Sequence, residues 1–414
     1  MRVFYGWVIA ACAFCTLLVT NGLIITGINA FDASLLAEFG WSRGGLKFRD
    51  LLTFIAAGLL APVGGALSDR FGVRRMMLTG AALLAVCLWA YSHIHSAAGM
   101  YAVHVLFAVV LVTCGLMVCV LLTSHWFVAA RGTALGFVII GTSLGGVVFP
   151  VLNTVVIAAY GWRTAMQLLI AAPLLLWVAI AALVRDSPAD KGLQPYGAGR
   201  AVPAAGTTRR QPERSVPYGQ ALRTTTFWAL AVTAMSTFYA ILATQAHLIL
   251  YLRSLGASPV KAASGLSTLF VMGMIGKFLF GMLADLYDKQ RVLQVNLLVM
   301  WIGGLALASM SPGAVWFAIA LFGLGWGGIY TLLQVITMTA FGLAAGGKIL
   351  GTITVLDAIG GGLGIWLTGL LYDRTGSYAS AFAIVAGLIT LAAGASTLVN
   401  VGLGADGRPA ISET

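Results

Sequence analysis

The ionisable side chains of greatest chemical interest in this sequence lie inside long apolar segments. Lys277 lies in the apolar run 260–283 and Asp357 in the run 349–371. A charged side chain at the centre of a bilayer costs about 2.5–3.5 kcal/mol on insertion scales, so such residues are candidates for function. An ammonium attracts a carboxylate as a point charge, without the bidentate fork of Arg. Lys277 is therefore a candidate anchor for an organic anion, with snorkelling to the inner surface as the alternative.

Asp357 is a candidate for proton coupling. Both Lys277 and Asp357 fall in the inner half of their runs, so they can form an ion pair that lowers the cost of burying each charge. An anion that competes for Lys277 would release the carboxylate, which can then take up a proton. This exchange would couple anion movement to proton movement, and a purely structural ion pair is the alternative.

A second charged group, Gly45-Leu46-Lys47-Phe48-Arg49-Asp50, opens the apolar run 45–67. In one interpretation Lys47 and Arg49 sit at the outer interface and Asp50 caps them. In the other, Arg49 or Lys47 is a second anion anchor or part of an outer gate, and Asp50 joins the proton-coupling candidates. Two cationic anchors would suit a dianionic substrate.

Uncharged polar residues at mid-membrane depth also need partners. Asn21, Tyr330 and Gln334 are such residues, and substrate oxygens or water could supply the partners. We predict that they contribute to substrate binding. His104 is a weaker candidate, with a core histidine as the alternative.

The elements that position these residues follow from composition. Only 9% of the residues are charged and 60% are hydrophobic, whereas soluble domains carry about 25% charge. A bilayer-spanning helix needs about 20 apolar residues, and the sequence predicts an all-α membrane protein with twelve such helices. The predicted spans are 5–31, 45–67, 76–95, 99–123, 132–158, 164–184, 226–252, 260–283, 292–310, 314–340, 349–371 and 378–400.

The net charge of +11 is a topology signal. Most Lys and Arg residues fall in the turns and termini of one side, which the positive-inside rule assigns to the cytoplasm. We therefore predict cytoplasmic termini, a multi-pass protein of the cell inner (plasma) membrane, and no nucleic-acid partner. The first span is too long for a signal peptide and lacks a small-residue cleavage site, so we expect it to be retained.

An internal duplication divides the chain into two halves. The charged turn at 65–75 has a fainter copy at 281–291, and Leu135-Gly136 with Gly145-Gly146 recurs as Leu350-Gly351 with Gly360-Gly361. The polar stretch between the halves is rich in Pro, Gly and Arg, which predicts a flexible cytoplasmic linker. The predicted domains are a six-helix bundle over 1–184, a linker over 185–225, a second six-helix bundle over 226–400 and a tail over 401–414.

The charged turn predicts a gate between conformational states. Gly65 and Gly72 shape the turn, while Asp69 can accept hydrogen bonds from a helix N-terminus and pair with Arg131. Such contacts would hold the cytoplasmic side closed and break on switching, with a solvated loop as the alternative. The full predicted gating set is Gly65, Asp69, Arg70, Gly72, Arg74, Arg75, Arg131 and Asp285.

The first charged turn resembles the loop signature of the major facilitator superfamily. Further segments are similar to its monocarboxylate transporter and oxalate/formate exchanger branch. They are Tyr5-Gly6-Trp7-Val8, Phe39-Gly40-Trp41-Ser42-Arg43, Arg131-Gly132-Thr133-Ala134-Leu135-Gly136, Gly161-Trp162-Arg163 and Leu371-Tyr372-Asp373-Arg374-Thr375-Gly376-Ser377-Tyr378. The resemblance implies two pseudo-symmetric bundles, transport by alternating access, and a cavity lined by the seventh span, where His247 would contact substrate or relay a proton unless it is a core histidine.

Two positions depart from that branch. Its anion transporters carry Arg in the eighth span, often with Asp one turn earlier, where this chain has Lys277 and Gly273. The oxalate exchangers use a Lys in the eleventh span, where this chain has Asp357. The resemblance therefore implies an anion transporter whose anchors differ from those of its relatives.

The sequence predicts a secondary transporter of a small organic anion, a mono- or dicarboxylate, with proton symport or anion exchange. No phosphate-binding loop, nucleophile triad or metal-ligand spacing is present in the sequence, and the five cysteines all fall within predicted spans. We expect no enzyme activity, cofactor or metal, and a monomer in the bilayer. The alternatives are a proton-coupled exporter of amphipathic compounds, a non-transporting sensor, for which the short tail offers no signalling domain, and a membrane-embedded enzyme.

Overall fold

The computed structural model describes the backbone of residues 4–198, 216–341 and 343–400. The side chains of Pro62, Asp69, Gly132 and residues 343–348 fall outside the described set, so the gating role predicted for Asp69 lies outside it too. The tail predicted over 401–414 and residues 199–215 of the predicted linker also lie outside it.

Twelve long helical segments make up the described chain. They are α1 (Gly6–Phe39), α2 (Arg43–Phe71), α3 (Val73–Ser92), α4 (Ala97–Trp126), α5 (Arg131–Tyr160), α6 (Trp162–Leu183), α7 (Thr225–Ser254), α8 (Pro259–Leu286), α9 (Lys289–Ala308), α10 (Val315–Phe341), α11 (Leu343–Thr375) and α12 (Ala379–Ser396). By length and composition, 11 segments of the described residues can cross a membrane, and α2 adds a helix of 29 residues. The predicted all-α membrane fold of twelve helices is confirmed.

Polar caps begin several of these helices. The hydroxyl groups of Ser42, Ser96 and Thr224 accept hydrogen bonds from backbone N–H groups at the starts of α2, α4 and α7. The Asp288 carboxylate does the same for Arg291 N in α9, at 2.9 Å. A helix N-terminus leaves four N–H groups without intrahelical partners, and these caps satisfy one each.

The first helix is longer and less regular than the span predicted over 5–31. A π-helical turn over Gly22–Thr26 and a 3-10 turn over Gly27–Phe31 interrupt α1 before it continues to Phe39. The amide of Asn153 in α5 donates to Gly27 O at 2.9 Å across this break. The break is followed directly by Asp32, which is fully buried.

Glycines allow matching helix pairs to approach closely in the two halves. A Cβ on Gly141 or Gly145 of α5 would lie 2.4 or 2.6 Å from a carbonyl oxygen of α1. A Cβ on Gly360 or Gly364 of α11 would lie 2.3 or 2.4 Å from a carbonyl oxygen of α7. These small residues therefore form the packing surfaces of the two helix pairs.

The chain forms two compact units. One unit comprises residues 1–206 together with Ser258–Ser267, and the other comprises residues 207–257 and 268–414. The first contains α1–α6, and the second contains α7, α9–α12 and most of α8. We describe each unit separately.

The start of the predicted linker is ordered rather than flexible. Asp186 Oδ1 accepts a hydrogen bond from Arg74 N at 2.6 Å, and a 3-10 turn over Pro188–Lys191 follows. Tyr196 then pairs with the backbone at Trp126, Val128 and Ala129. Backbone pairing and a helix cap hold this segment, and neither is visible in its Pro-, Gly- and Arg-rich composition.

Candidate functional site

Lys277 lies beside two aromatic rings of α10. Its Nζ is 5.7 Å from the ring centroid of Trp326 and 5.7 Å from that of Tyr330, and the side chain is half-buried. Rings at this distance attract an ammonium through their negative faces. The arrangement holds a positive charge at a partly accessible position in the second unit.

Glycines bring α8 and α10 close enough for this contact. A Cβ on Gly327 would lie 1.8 Å from Gly273 O, so no side chain fits at that position. A Cβ on Gly273 would lie 2.5 Å from the Trp326 ring, which covers this glycine. Gly273 is the position where the resembled branch often carries Asp, and here it receives an aromatic ring instead.

Asp357 in α11 is buried to all but 8% of its surface. Its Oδ1 atom has no hydrogen-bond partner among the described residues. The ion pairs of the described residues do not include the predicted Lys277–Asp357 pair.

The other predicted substrate contacts of the second unit, Tyr330 and Gln334, are both exposed. Tyr330 is 37% exposed and packs against Phe238 of α7, with ring centroids 6.2 Å apart. Gln334, one turn further along α10, is exposed. Both residues are accessible to a ligand at the surface of the second unit.

His247 of α7 lies in the packed interior of the second unit. Its Nε2 is 2.8 Å from Ile365 O of α11, and its Nδ1 is 3.2 Å from the hydroxyl of Tyr378. The side chain is fully buried, and each ring nitrogen has a protein partner. This geometry favours the core-histidine alternative over direct contact with substrate.

The first unit contains a buried group of four charges, which we call the buried quartet: Asp32, Lys47, Arg49 and Asp50. Lys47 Nζ is 2.6 Å from Asp32 Oδ2, and the Arg49 guanidinium contacts Asp32 Oδ1. Lys47 and Arg49 have no exposed surface. The predicted second anchor, Arg49, is thus enclosed by protein in this structure.

Further polar groups complete the surroundings of the quartet. Lys47 Nζ also donates to Asn29 Oδ1 at 2.7 Å, and Arg49 Nη1 donates to the Tyr91 hydroxyl at 2.8 Å. A buried ion pair is stable only when hydrogen bonds satisfy the remaining donors and acceptors. Asn29 of α1 and Tyr91 of α3 supply one such bond each, while Arg49 Nε and Asp50 Oδ2 have no hydrogen-bond partner among the described residues.

Sequence reasoning missed Asp32, the central carboxylate of this group. Asp32 follows the predicted first span by one residue and was assigned to the loop. A usable signal was the charge balance, because Lys47 and Arg49 need two carboxylates and Asp50 is only one. The pairing itself depends on the break in α1, which the sequence pattern does not reveal.

Asn21 lines a small apolar cleft in the first unit. The cleft measures about 220 Å³ and lies among α1, α2 and α4. Its other lining residues are Ile25, Ala57, Ala61, Leu111, Val112, Leu116 and Met117. Asn21 is the one polar side chain in this described lining.

The two charged turns make equivalent contacts in the two units. Arg74 Nη2 donates to Ala181 O at the end of α6, at 2.6 Å. Gln290 occupies the same place in the second copy of the turn, and its Nε2 donates to Ser396 O at the end of α12, at 3.2 Å. Each turn therefore ties the start of one helix to the end of the last helix of its bundle.

The remaining members of the predicted gating set lie at the surface of their units. Gly72 has a φ of +82° and faces the Asp186 carboxylate, which caps α3. The other members are half-buried or exposed: Gly65, Arg70, Arg75, Arg131 and Asp285.

Among the described residues, no group of three His, Cys, Asp or Glu side chains could hold a metal ion.

Twelve long apolar helices, with charged residues held inside their packing, are typical of a multi-pass membrane protein. The family model of the Major Facilitator Superfamily matches residues 9–365, and the chain belongs to this superfamily. The chain is 27% identical over 406 residues to Monocarboxylate transporter 13 of Bos taurus, an alignment covering 96% of this chain and 89% of that protein.

Solved structures share the fold at low identity. A bacterial homolog of the human lysosomal transporter Spinster, inward-facing and occupied, superposes with a TM-score of 0.75 at 14% identity. The match covers 96% of this chain and 97% of that one. A D-xylose-proton symporter superposes with a TM-score of 0.71 at 16% identity, covering 99% and 100% of the two chains.

Proposed function

We propose that this transporter moves a small organic anion, a mono- or dicarboxylate, by alternating access with proton symport or anion exchange. The observation that carries the proposal is the half-buried ammonium of Lys277 beside the rings of Trp326 and Tyr330. A cation inside a membrane-spanning helix is energetically costly, so its presence indicates a functional role. A carboxylate arriving from water would offset that cost.

The surroundings of Lys277 suit a carboxylate with a short apolar body. The ring faces of Trp326 and Tyr330 provide apolar contact, while the ammonium supplies the charge. The Tyr330 hydroxyl and the Gln334 amide are polar groups of α10 that can bind further substrate oxygens. The similarity to a monocarboxylate transporter supports the same substrate class.

Proton coupling in this proposal involves a buried carboxylate in the same unit as the anion anchor. Asp357 is largely buried, and its Oδ1 atom has no hydrogen-bond partner among the described residues. A buried carboxylate without such partners favours its neutral form, because desolvation penalises the charge. Asp357 is therefore a candidate proton carrier within the second unit.

We also propose that both termini face the cytoplasm and that the protein lies in the inner membrane as a monomer. The basic residues of the turns at 70–75 and 289–291, on the same side as the termini, support this orientation. Single cysteines at Arg75 and at Gly256 are predicted to react with an impermeant thiol reagent from opposite sides. Reaction of both from the same side would contradict the orientation.

The test is uptake of radiolabelled pyruvate and oxalate into proteoliposomes. Lys277→Ala should abolish uptake of the transported acid, and Lys277→Arg should retain part of it because the charge remains. The matched control is Lys261→Ala, which removes an exposed lysine of the same helix. Uptake by Lys277→Ala equal to that of the wild type would overturn the proposal that Lys277 anchors the anion.

The alternative of an amphipathic-compound exporter predicts a different outcome. An exporter would move a hydrophobic cation against a proton gradient and would not require Lys277. Transport of ethidium by the wild type, unchanged by Lys277→Ala and lost in Asp357→Asn, would favour this alternative. Pyruvate or oxalate uptake that depends on Lys277 would exclude it.

A further inference from the structure

The buried quartet balances its charges only when both carboxylates are ionised. Two carboxylates, Asp32 and Asp50, face two cations, Lys47 and Arg49, inside the first unit. Addition of one proton would leave a net charge of one positive unit in a site without solvent counter-ions. A positive charge of that kind is costly unless an anion lies nearby.

The two carboxylates share the cations unequally. Asp32 has the close contacts, at 2.6 Å from Lys47 Nζ and with the Arg49 guanidinium hydrogen-bonded to its Oδ1. Asp50 is 3.6 Å from Lys47 Nζ and 3.5 Å from Arg49 Nε, which is beyond a good charged hydrogen bond. Asp50 is thus the less compensated carboxylate of the quartet.

Asp50 is also the most exposed member of the quartet. Its side chain is 10% exposed, while those of Lys47, Arg49 and Asp32 are 0–1% exposed. Its Oδ2 atom is buried and has no hydrogen-bond partner among the described residues. A proton can therefore bind to this oxygen without breaking a hydrogen bond.

We propose that the quartet takes up one proton, at Asp50, and that this proton accompanies the anion. The inference rests on the proposed anion transport and deepens it by assigning the coupling proton to the first unit. With Asp50 neutral, Lys47 and Arg49 exceed the remaining carboxylate by one charge. This excess attracts an anion, and by reciprocity the anion strengthens proton binding by the same factor.

His104 acts as a positioning residue for Asp50. Its Nδ1 is 2.9 Å from Thr53 Oγ1 and 3.9 Å from Asp50 Oδ1. Its Nε2 is buried without a hydrogen-bond partner among the described residues, and its ring packs against aromatic residues of α3 and α4. The titratable and charged groups around Asp50 are Asp32 of α1, Lys47 and Arg49 of α2, Tyr91 of α3, and Tyr101 and His104 of α4.

Infrared difference spectroscopy of the purified full-length protein tests the proton site without a substrate. As the pH is raised, the wild type should lose a C=O stretching band of a buried carboxylic acid. The component of this band that belongs to Asp50 should be absent in Asp50→Asn and present in Asp357→Asn, which removes only the separate contribution of Asp357. Asp373→Asn, which changes an exposed carboxylate of α11, is the matched control and should also keep the band.

Two further variants are needed. One addresses the possibility that Asp50→Asn fails to fold, and the other tests the effect of the neighbouring histidine on Asp50. Asp50→Glu keeps a titratable carboxyl, so it should shift the band rather than remove it. His104→Gln should change the pH at which the band disappears but should not abolish it. Persistence of the whole band in Asp50→Asn, loss of the whole band in Asp357→Asn, or its absence from the wild type would each overturn the proposal.

Transport assays separate this inference from the proposed function. Asp50→Asn resembles a permanently protonated site, so it should still exchange pyruvate across the membrane, but it should lose accumulation driven by a pH gradient. Accumulation by Asp50→Asn equal to that of the wild type would overturn the inference and leave the anion proposal intact. A wild type that transports neither pyruvate nor oxalate would instead count against the proposed function.

Discussion

Lys47 Nζ lies 2.6 Å from Asp32 Oδ2, and neither side chain has more than 1% of its surface exposed. The pair joins the start of α2 to the part of α1 that follows the helix break. A buried ion pair of this kind is weak evidence for stability, because desolvation offsets much of the Coulomb attraction. The pair instead contributes to one defined arrangement of the four charges of the buried quartet.

Removal of Asp32 should strongly destabilise the protein. Asp32→Asn leaves Lys47 and Arg49 with one carboxylate between them, and breaking a buried pair costs about 3–5 kcal/mol. The melting temperature of the detergent-purified protein should fall accordingly. The double variant Asp32→Asn with Lys47→Met restores the charge balance and should recover part of the loss.

An exposed ion pair provides the matched control. Glu38 and Arg163 form a salt bridge in which both side chains are about one-third exposed. Glu38→Gln should change the melting temperature little, because solvent and salt screen such pairs. Equal decreases in melting temperature for Glu38→Gln and Asp32→Asn would contradict the prediction that burial makes the Asp32 pair more important for stability.

The rings beside Lys277 should affect the apparent affinity for the anion. Trp326→Ala removes a cation–π contact worth about 1 kcal/mol, so the substrate concentration for half-maximal uptake should rise roughly five-fold. Trp326→Phe should have a smaller effect. Phe317→Ala changes an exposed ring of the same helix and should leave uptake unaltered, and an equal effect there would contradict the prediction.

The close approach of α8 and α10 should not tolerate a side chain. Gly327→Ala would place a methyl group 1.8 Å from Gly273 O and 2.8 Å from Lys277 N, so the helices must separate. We expect a lower melting temperature and loss of Lys277-dependent uptake. Gly387→Ala in α12 is the control, because its Cβ would meet open space. Normal uptake by Gly327→Ala would show that this spacing is not required.

The equivalent contacts of Arg74 and Gln290 should make similar contributions to the two units. Arg74→Ala and Gln290→Ala each remove hydrogen bonds to the C-terminal carbonyl groups of the last helix in the bundle. A net loss of about 1 kcal/mol per hydrogen bond is expected in thermal unfolding. Arg291→Ala removes an exposed neighbour and should have no such effect. A large loss for only one of the two variants would argue against equivalence.

His247 should stabilise the second unit rather than tune the pH dependence of uptake. His247→Ala removes the hydrogen bonds to the Tyr378 hydroxyl and the Ile365 carbonyl, at a cost of about 1–3 kcal/mol. The melting temperature should fall while the pH profile of uptake stays unchanged. A shifted pH profile would restore the proton-relay role predicted from the sequence.

Much of the architecture could be predicted from the sequence because bilayer insertion is a local requirement. Each apolar run must satisfy its backbone hydrogen bonds internally, so a run of about 20 residues predicts a helix wherever its partners lie. The twelve spans, the duplicated turns and the glycine faces of α5 and α11 follow from such local patterns. Lys277 was also identified locally, because a charge inside an apolar run is visible without a fold.

The partners of each charge depend on tertiary structure. The sequence placed Lys277 and Asp357 in one depth range, but the orientation of α8 and α11 puts aromatic rings beside the Lys and leaves the Asp outside its ion-pair distance. Asp32 joins Lys47 and Arg49 only because α1 breaks at Gly22–Phe31 and continues. Local hydropathy determines which segments enter the membrane, whereas the rotation and packing of the helices determine which side chains meet.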